Sequence, residues 1–173
     1  EKSLESSKNP AVSKFFQLQL RGLDGKKVAM QEFQGKLLLI VNTASSCGFT
    51  PQMKDLVELQ KKYKKRGLQV LGFPSNDFHQ EEGSAQEIQN YAEKEFKVNF
   101  PLFEKASVRG PQAQPLFRYL TEQTSSFPKE VLWNFEKFLV SPSGQVLARY
   151  RSAFSPSNQE LQAKIEEFLP KSL

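Results

Sequence analysis

A chain of 173 residues that is 38% hydrophobic, with 15 Phe, can bury one sizeable core, so a single domain over residues 1–173 is expected. One Cys and one His rule out an internal disulfide and a Cys/His zinc site. The net charge of +5 is mildly basic, but no basic motif interleaved with aromatics points to nucleic acid, and no apolar run approaches the roughly 20 residues of a membrane span.

From the N-terminus, Glu1–Pro10 is polar and reads as a flexible arm. No signal peptide is visible. Glu1 without an initiator Met is compatible with removal of a leading segment, so the compartment stays open. Phe15–Leu20 alternates apolar and polar after its first pair and predicts a strand. Gly22-Leu23-Asp24-Gly25 then turns the chain, and Lys27–Met30 returns as the second strand of a hairpin.

Leu37–Asn42 predicts a strand buried on both faces. It runs into Ser45-Ser46-Cys47-Gly48, and Thr50-Pro51 follows as a helix start, a capping hydroxyl and then proline at the first helical position. Unpaired N–H groups at a helix start would stabilise a Cys47 thiolate, which is a good nucleophile where the thiol is not. A free cysteine is also commonly just a small buried hydrophobe, and both readings stand on these residues alone.

Met53, Leu56, Val57, Leu59 and Tyr63 recur at helical spacing, with Gly67 as the stop. Leu68–Phe73 is a second apolar strand ending at Pro74. Strand, helix and strand in about forty residues form a right-handed βαβ unit. Ligands bind such sheets off the carboxyl ends of the strands, so Cys47 and the segment 74–82 should face each other. The basic run Lys61, Lys62, Lys64, Lys65, Arg66 at the helix end reads as a solvated face complementing the dipole, with contact to an anionic membrane surface as the functional reading.

Ser84 and Glu87 make a capping-box pattern for a helix through Ile88, Tyr91, Ala92 and Phe96. Asn99–Phe103 is a short extended piece. A third helix is predicted from near Gln112, through Leu116, Phe117, Tyr119 and Leu120. Trp133–Val140 and Gln145–Tyr150 flank Ser141-Pro142-Ser143-Gly144 as a second hairpin. Ser157 is read as the cap of a last helix with Leu161, Ile165, Phe168 and Leu169. The order is that of an α/β, thioredoxin-like fold: a central mixed sheet flanked by helices, with an extra N-terminal hairpin.

Three segments, Asn42–Thr50, Gly72–Glu81 and Trp133–Val140, together resemble the glutathione peroxidase family over Phe15–Leu169. The resemblance implies a thiol-dependent peroxidase acting on hydrogen peroxide and organic or lipid hydroperoxides. It implies a site of Cys47, Gln80, Trp133 and Asn134, with no metal and no bound cofactor. Each of the last three has an ordinary alternative, core packing for Trp133 and a loop amide for Gln80 and Asn134, and only their joint occurrence argues for chemistry. Thiolate attack on an O–O bond expels hydroxide or alkoxide, so fixed donors such as two amides and an indole N–H serve where no histidine base is present. The product would be a sulfenic acid on Cys47. His79 reads as an exposed loop residue.

The sequence departs from the family at Ser75 and Ala92, where relatives carry cysteines, and at Asp77 and His79. No internal bridge to Cys47 can then form, which points to glutathione or another small thiol as co-substrate. The short connection before Trp133 resembles the monomeric, phospholipid-hydroperoxide-type branch with an open site. A different class of function, a redox sensor or relay that passes oxidation from Cys47 to a partner protein, fits the same fold.

Overall fold

A computed structural model describes residues 10–171, with side chains from Lys14 onward. Most of the expected arm, residues 1–9, lies outside the described residues. Helix α1, Pro10–Gln17, replaces the first half of the expected strand. Phe15 and Phe16 are buried on it, and the alternation that suggested a strand survives only in β1, Gln19–Arg21. Strand β2, Lys27–Ala29, pairs with β1 antiparallel across the Gly22–Gly25 turn, with Leu20 opposite Val28.

The central sheet has four strands. Strand β3, Leu37–Thr43, is buried along its whole length. Strand β4, Leu68–Pro74, lies parallel to it, from Leu37 opposite Leu68 to Thr43 opposite Pro74. Between them runs α2, Gln52–Tyr63, whose Met53, Leu56, Leu59 and Tyr63 are buried as its periodicity predicts. A short 3₁₀ turn then ends at Gly67, whose φ of 102° suits glycine. Strands β5, Lys137–Val140, and β6, Val146–Tyr150, complete the sheet as an antiparallel hairpin on the other side of β3.

Alternate β3 side chains serve two cores. Leu38 and Ile40 pack with Phe15, Met30, Phe117 and Phe138 under α1 and α4, Pro115–Glu122. Leu37, Leu39 and Val41 pack with Leu56, Leu59, Leu161 and Ile165 under α2 and α5, Gln159–Phe168. Cover on both faces explains why β3 reads as an unbroken apolar run.

Helix α3, Ala85–Tyr91, carries the expected capping box, with Ser84 accepting from the Glu87 N–H. Three sequence readings are corrected. Helix α4 starts at Pro115, not near Gln112. Asn158 rather than Ser157 caps α5, its side chain accepting from the Glu160 N–H. Trp133–Glu136 is a turn and not strand, because Phe135 takes a left-handed φ of 64° that breaks pleating before β5 begins.

Candidate active site

The carboxyl ends of β3 and β4 point to the same rim, and three turns meet there. The first carries Cys47, which is buried at 7% exposure within the α2–α5 core. Thr50 does not cap α2 as expected. Its hydroxyl turns back to accept from the Cys47 N–H at 2.9 Å and to donate to the Ala44 carbonyl at 2.8 Å, closing the turn on the sulfur. The Phe49 N–H donates to Cys47 Sγ at 3.3 Å. A backbone donor at the approach to a helix thus meets the sulfur.

The second turn follows β4. Ser75 N donates to the Thr43 carbonyl at 3.1 Å, and Ser46 N donates to the Gln80 carbonyl at 3.0 Å, so segment 74–82 faces the Cys47 turn as the βαβ argument requires. Asp77 fixes this loop from behind, accepting from the Ser75 and Ser107 hydroxyls and from the Val108 N–H. His79 is exposed and has a positive φ of 58°, immediately before Gln80.

The third turn is Trp133–Glu136, held by Asn42. The Asn42 carbonyl accepts from Phe135 N at 2.7 Å, its Nδ2 donates to the Trp133 carbonyl at 2.9 Å, and its Oδ1 accepts from Glu136 N at 3.0 Å. A left-handed residue other than glycine costs roughly 1–2 kcal/mol. His79 and Phe135 both adopt that conformation, one beside Gln80 and the other beside Asn134. The bonds around them hold each turn in place.

Two of the expected residues meet directly: Asn134 Nδ2 donates to Gln80 Oε1 at 2.8 Å. With the Gln80 oxygen committed, its amide N–H groups are the part left for a reacting atom. Asn134 is fully buried, and its Oδ1 has no partner among the described residues. Trp133 is 37% exposed, with its ring 5.0 Å from Phe78. Among the described residues no side-chain amide or indole donates to the Cys47 sulfur, whose donor is Phe49.

Sequence reasoning missed four contributors. They are the Phe49 N–H, Asn42, the Asp77 network, and the part-buried pair in which Ser45 Oγ donates to Glu81 Oε2 at 3.1 Å. Asn42 had a signal, being the polar residue that ends the apolar run of β3. Lys105 Nζ braces the same corner through the carbonyls of Glu81 and Gly83. Burial pushes the Glu81 carboxyl above its ordinary 4.5, against the opposing pull of Ser45 and Lys105.

A carboxyl raised by folding holds its proton more tightly in the folded state. Its stabilising contribution is present below the unfolded value and fades as pH climbs through the folded one. Glu81→Gln keeps an acceptor for Ser45 but does not ionise. Thermal melts across pH 4–8 should therefore show the variant gaining on the parent protein as pH rises above about 4.5; a difference that ignores pH would mean Glu81 titrates normally.

Among the described residues no group of three His, Cys, Asp or Glu side chains could hold a metal, and no helix is long and apolar enough to cross a membrane. The basic run 61–66 lies at the far end of α2, about 20 Å from its Cys47 end at ~1.5 Å per residue. Arg66 there pairs with Glu166 at 2.9 Å.

A profile of the glutathione peroxidase family matches residues 15–121. A hydroperoxy fatty acid reductase of Synechocystis sp. is 48% identical over 155 residues, covering 85% of this chain and 90% of its own. Among solved structures, Trgpx in its apo form superposes with a TM-score of 0.72 at 34% identity, covering 89% of this chain and 94% of its own. A thioredoxin-family thiol:disulfide interchange protein from Chlorobium tepidum superposes at 0.64, covering 86% of this chain and 91% of its own. At 19% identity, that likeness shows the thioredoxin-like fold alone.

Proposed function

The chain belongs to the glutathione peroxidase family and is a thiol-dependent peroxidase that reduces hydroperoxides, and from that premise we propose that Cys47 is its nucleophile. The Cys47 thiolate attacks one peroxide oxygen, the O–O bond breaks, and the other oxygen leaves as water or an alcohol after taking a proton. Cys47 becomes a sulfenic acid. A thiol then condenses with it to a mixed disulfide and water, and a second thiol attacks that disulfide, releasing the oxidised thiol and restoring Cys47.

The observation that carries this reading is the bond from Asn134 Nδ2 to Gln80 Oε1, which bridges two loops at the mouth of the Cys47 turn. It orients the free Gln80 amide as a donor for the leaving oxygen, and we assign the Trp133 indole N–H and the Asn134 amide to the same role. Preorganised donors of this kind stabilise charge at little reorganisation cost. Gln80→Ala and Trp133→Phe should each slow oxidation of Cys47 by roughly ten- to a thousandfold. Rapid mixing with hydrogen peroxide measures this, and unchanged rates would remove those residues from the site.

The reductant is a small thiol such as glutathione in this reading. Only one cysteine is present in these 173 residues. Ser75 is fully buried and hydrogen-bonded to Asp77, and Ala92 is buried at the end of α3. We further propose an open, monomeric site that admits bulky lipid hydroperoxides, supported by the exposed Leu132 and Trp133 at its rim. The test is peroxide consumption with glutathione against thioredoxin, on hydrogen peroxide and on a lipid hydroperoxide. Turnover with glutathione on both substrates is expected. Turnover with thioredoxin alone would overturn the small-thiol reading, and turnover with neither, alongside a trapped mixed disulfide to one protein, would favour the relay.

A further inference from the structure

Lys137 opens β5 and is fully buried, in register with Val41 of β3 and Tyr150 of β6. Its ammonium donates to three backbone carbonyls: Phe154 at 2.6 Å, Ser152 at 2.9 Å and Arg151 at 3.4 Å. An apolar side chain at that position would bury without penalty, whereas a buried cation costs free energy unless its partners are well placed. Burial pushes Lys137 down to about 7, with only the neighbouring Glu136 pulling it back up. The fold keeps a costly polar group here, and its three acceptors all belong to the segment after β6.

The Ser152 carbonyl has a second donor. Gln52 Nε2, from the first residue of α2, reaches it at 2.8 Å. Two donors fill both lone pairs of that oxygen. Gln52 is buried and its Oε1 has no partner among the described residues, so this bond is what anchors its side chain. The Gln52 backbone N–H in turn donates to the Phe49 carbonyl at 2.8 Å. Phe49 is the residue whose own N–H meets Cys47 Sγ at 3.3 Å. Hydrogen bonds, joined by the covalent frames of Gln52 and Phe49, therefore connect the Lys137 ammonium through the Ser152 carbonyl to the sulfur.

We propose that Lys137 is a positioning residue for Cys47, fixing through the Ser152 carbonyl and Gln52 the carbonyl side of Phe49, the residue whose N–H donates to the sulfur. The proposal rests on Cys47 being the peroxide-reactive group. Lys137 touches no reacting atom. It holds the segment 151–154, that segment holds the start of α2, and the start of α2 sets the angle at which the Phe49 N–H meets the thiolate. Small displacements of a reacting group can cost about a hundredfold in rate, even when the mutated residue lies away from the chemistry.

The test compares Lys137→Met, Gln52→Leu and the double variant in the intact chain. Three rates are read: oxidation of Cys47 by hydrogen peroxide in a single turnover, alkylation of Cys47 by iodoacetamide at pH 7, and reduction of the oxidised protein by glutathione. Each single variant should slow oxidation by roughly ten- to a hundredfold. Alkylation should slow in parallel, the glutathione step should keep its rate, and the double variant should be no slower than the slower single one, since both act along one path. Folded single variants that oxidise and alkylate at the parent rate would overturn the proposal. So would equal slowing of both half-reactions, which marks general loosening, or fully additive effects in the double variant. If Lys137→Met does not fold, Gln52→Leu decides by the same readings, because it leaves the ammonium and its three carbonyls in place. Alkylation needs no peroxidase activity, so its outcome is separate from whether Cys47 turns peroxide over.

Discussion

Cys47→Ser should lose peroxidase turnover on the order of a millionfold, the scale on which removal of a nucleophile falls in other enzymes. Serine at this position has the size and the hydrogen-bonding capacity to accept from Phe49, but its hydroxyl does not ionise near neutral pH and no base of the histidine type stands beside it. His79, the one histidine, is exposed on the Gln80 loop. The fold should survive. The sulfur is one member of a core that also holds Met53, Phe100, Phe135 and Leu139, so the stability change should stay within about 1–2 kcal/mol. Peroxide consumption in the presence of excess glutathione checks the first claim, and urea unfolding checks the second. Turnover retained in a folded Cys47→Ser protein would mean that another group attacks the peroxide, and the roles given to Gln80, Trp133 and Asn134 would fall with it.

The sheet was legible because its chemistry is local. An apolar run followed by small polar residues, a helical repeat, and a second apolar run specify β3, α2 and β4, and the two strands lie side by side and parallel as that order requires. That reading also places Cys47 and Gln80 on one rim, since both follow carboxyl ends of adjacent strands. Trp133 and Asn134 are legible only through resemblance to a family, and their segment reads as strand. What makes it a turn is Asn42, 91 residues earlier in the chain, which supplies three hydrogen bonds to Trp133–Glu136. No window around Trp133 contains that information.

The same reason explains the reading of α1. Phe16-Gln17-Leu18-Gln19-Leu20 alternates like a strand, yet Phe15 lies 5.2 Å from the Tyr119 ring of α4. Tertiary packing overrides a pattern only five residues long. Thr50 shows a subtler limit. A hydroxyl before proline is a fair cap signal, but the neighbouring turn offered it the Cys47 N–H and the Ala44 carbonyl instead. Its part in the site is to shape the cysteine turn.

The largest stability effect should come from Arg149→Met. Arg149 and Glu136 form an ion pair at 3.1 Å with both side chains essentially inaccessible. Removing the cation leaves a carboxylate buried without its partner, which typically costs about 3–5 kcal/mol. Arg149 also donates to the Pro128 carbonyl at 2.7 Å, the Glu130 carbonyl at 2.8 Å and the Thr124 hydroxyl at 3.2 Å, and lies over the Phe138 ring. The segment leading into Trp133 therefore loses its clamp together with the charge. In a protein of this size the loss corresponds to a fall in Tm of roughly 6–20 °C, measurable by calorimetry. Glu136→Leu combined with Arg149→Met removes both charges and should recover part of the loss, since apolar replacement of a buried pair is often neutral. Recovery should stop short of the parent protein, because the carbonyls of Pro128 and Glu130 still lack their donor. A further consequence follows from the position of Glu136. Its carboxylate accepts from Leu132 N at 3.2 Å while its own N–H donates to Asn42, so the pair sits directly under the Trp133–Asn134 turn. Below its melting temperature, Arg149→Met should therefore also oxidise Cys47 more slowly than the parent protein. A variant that melts within about 1 kcal/mol of the parent would show that the buried pair adds no net stability, as such pairs sometimes do not.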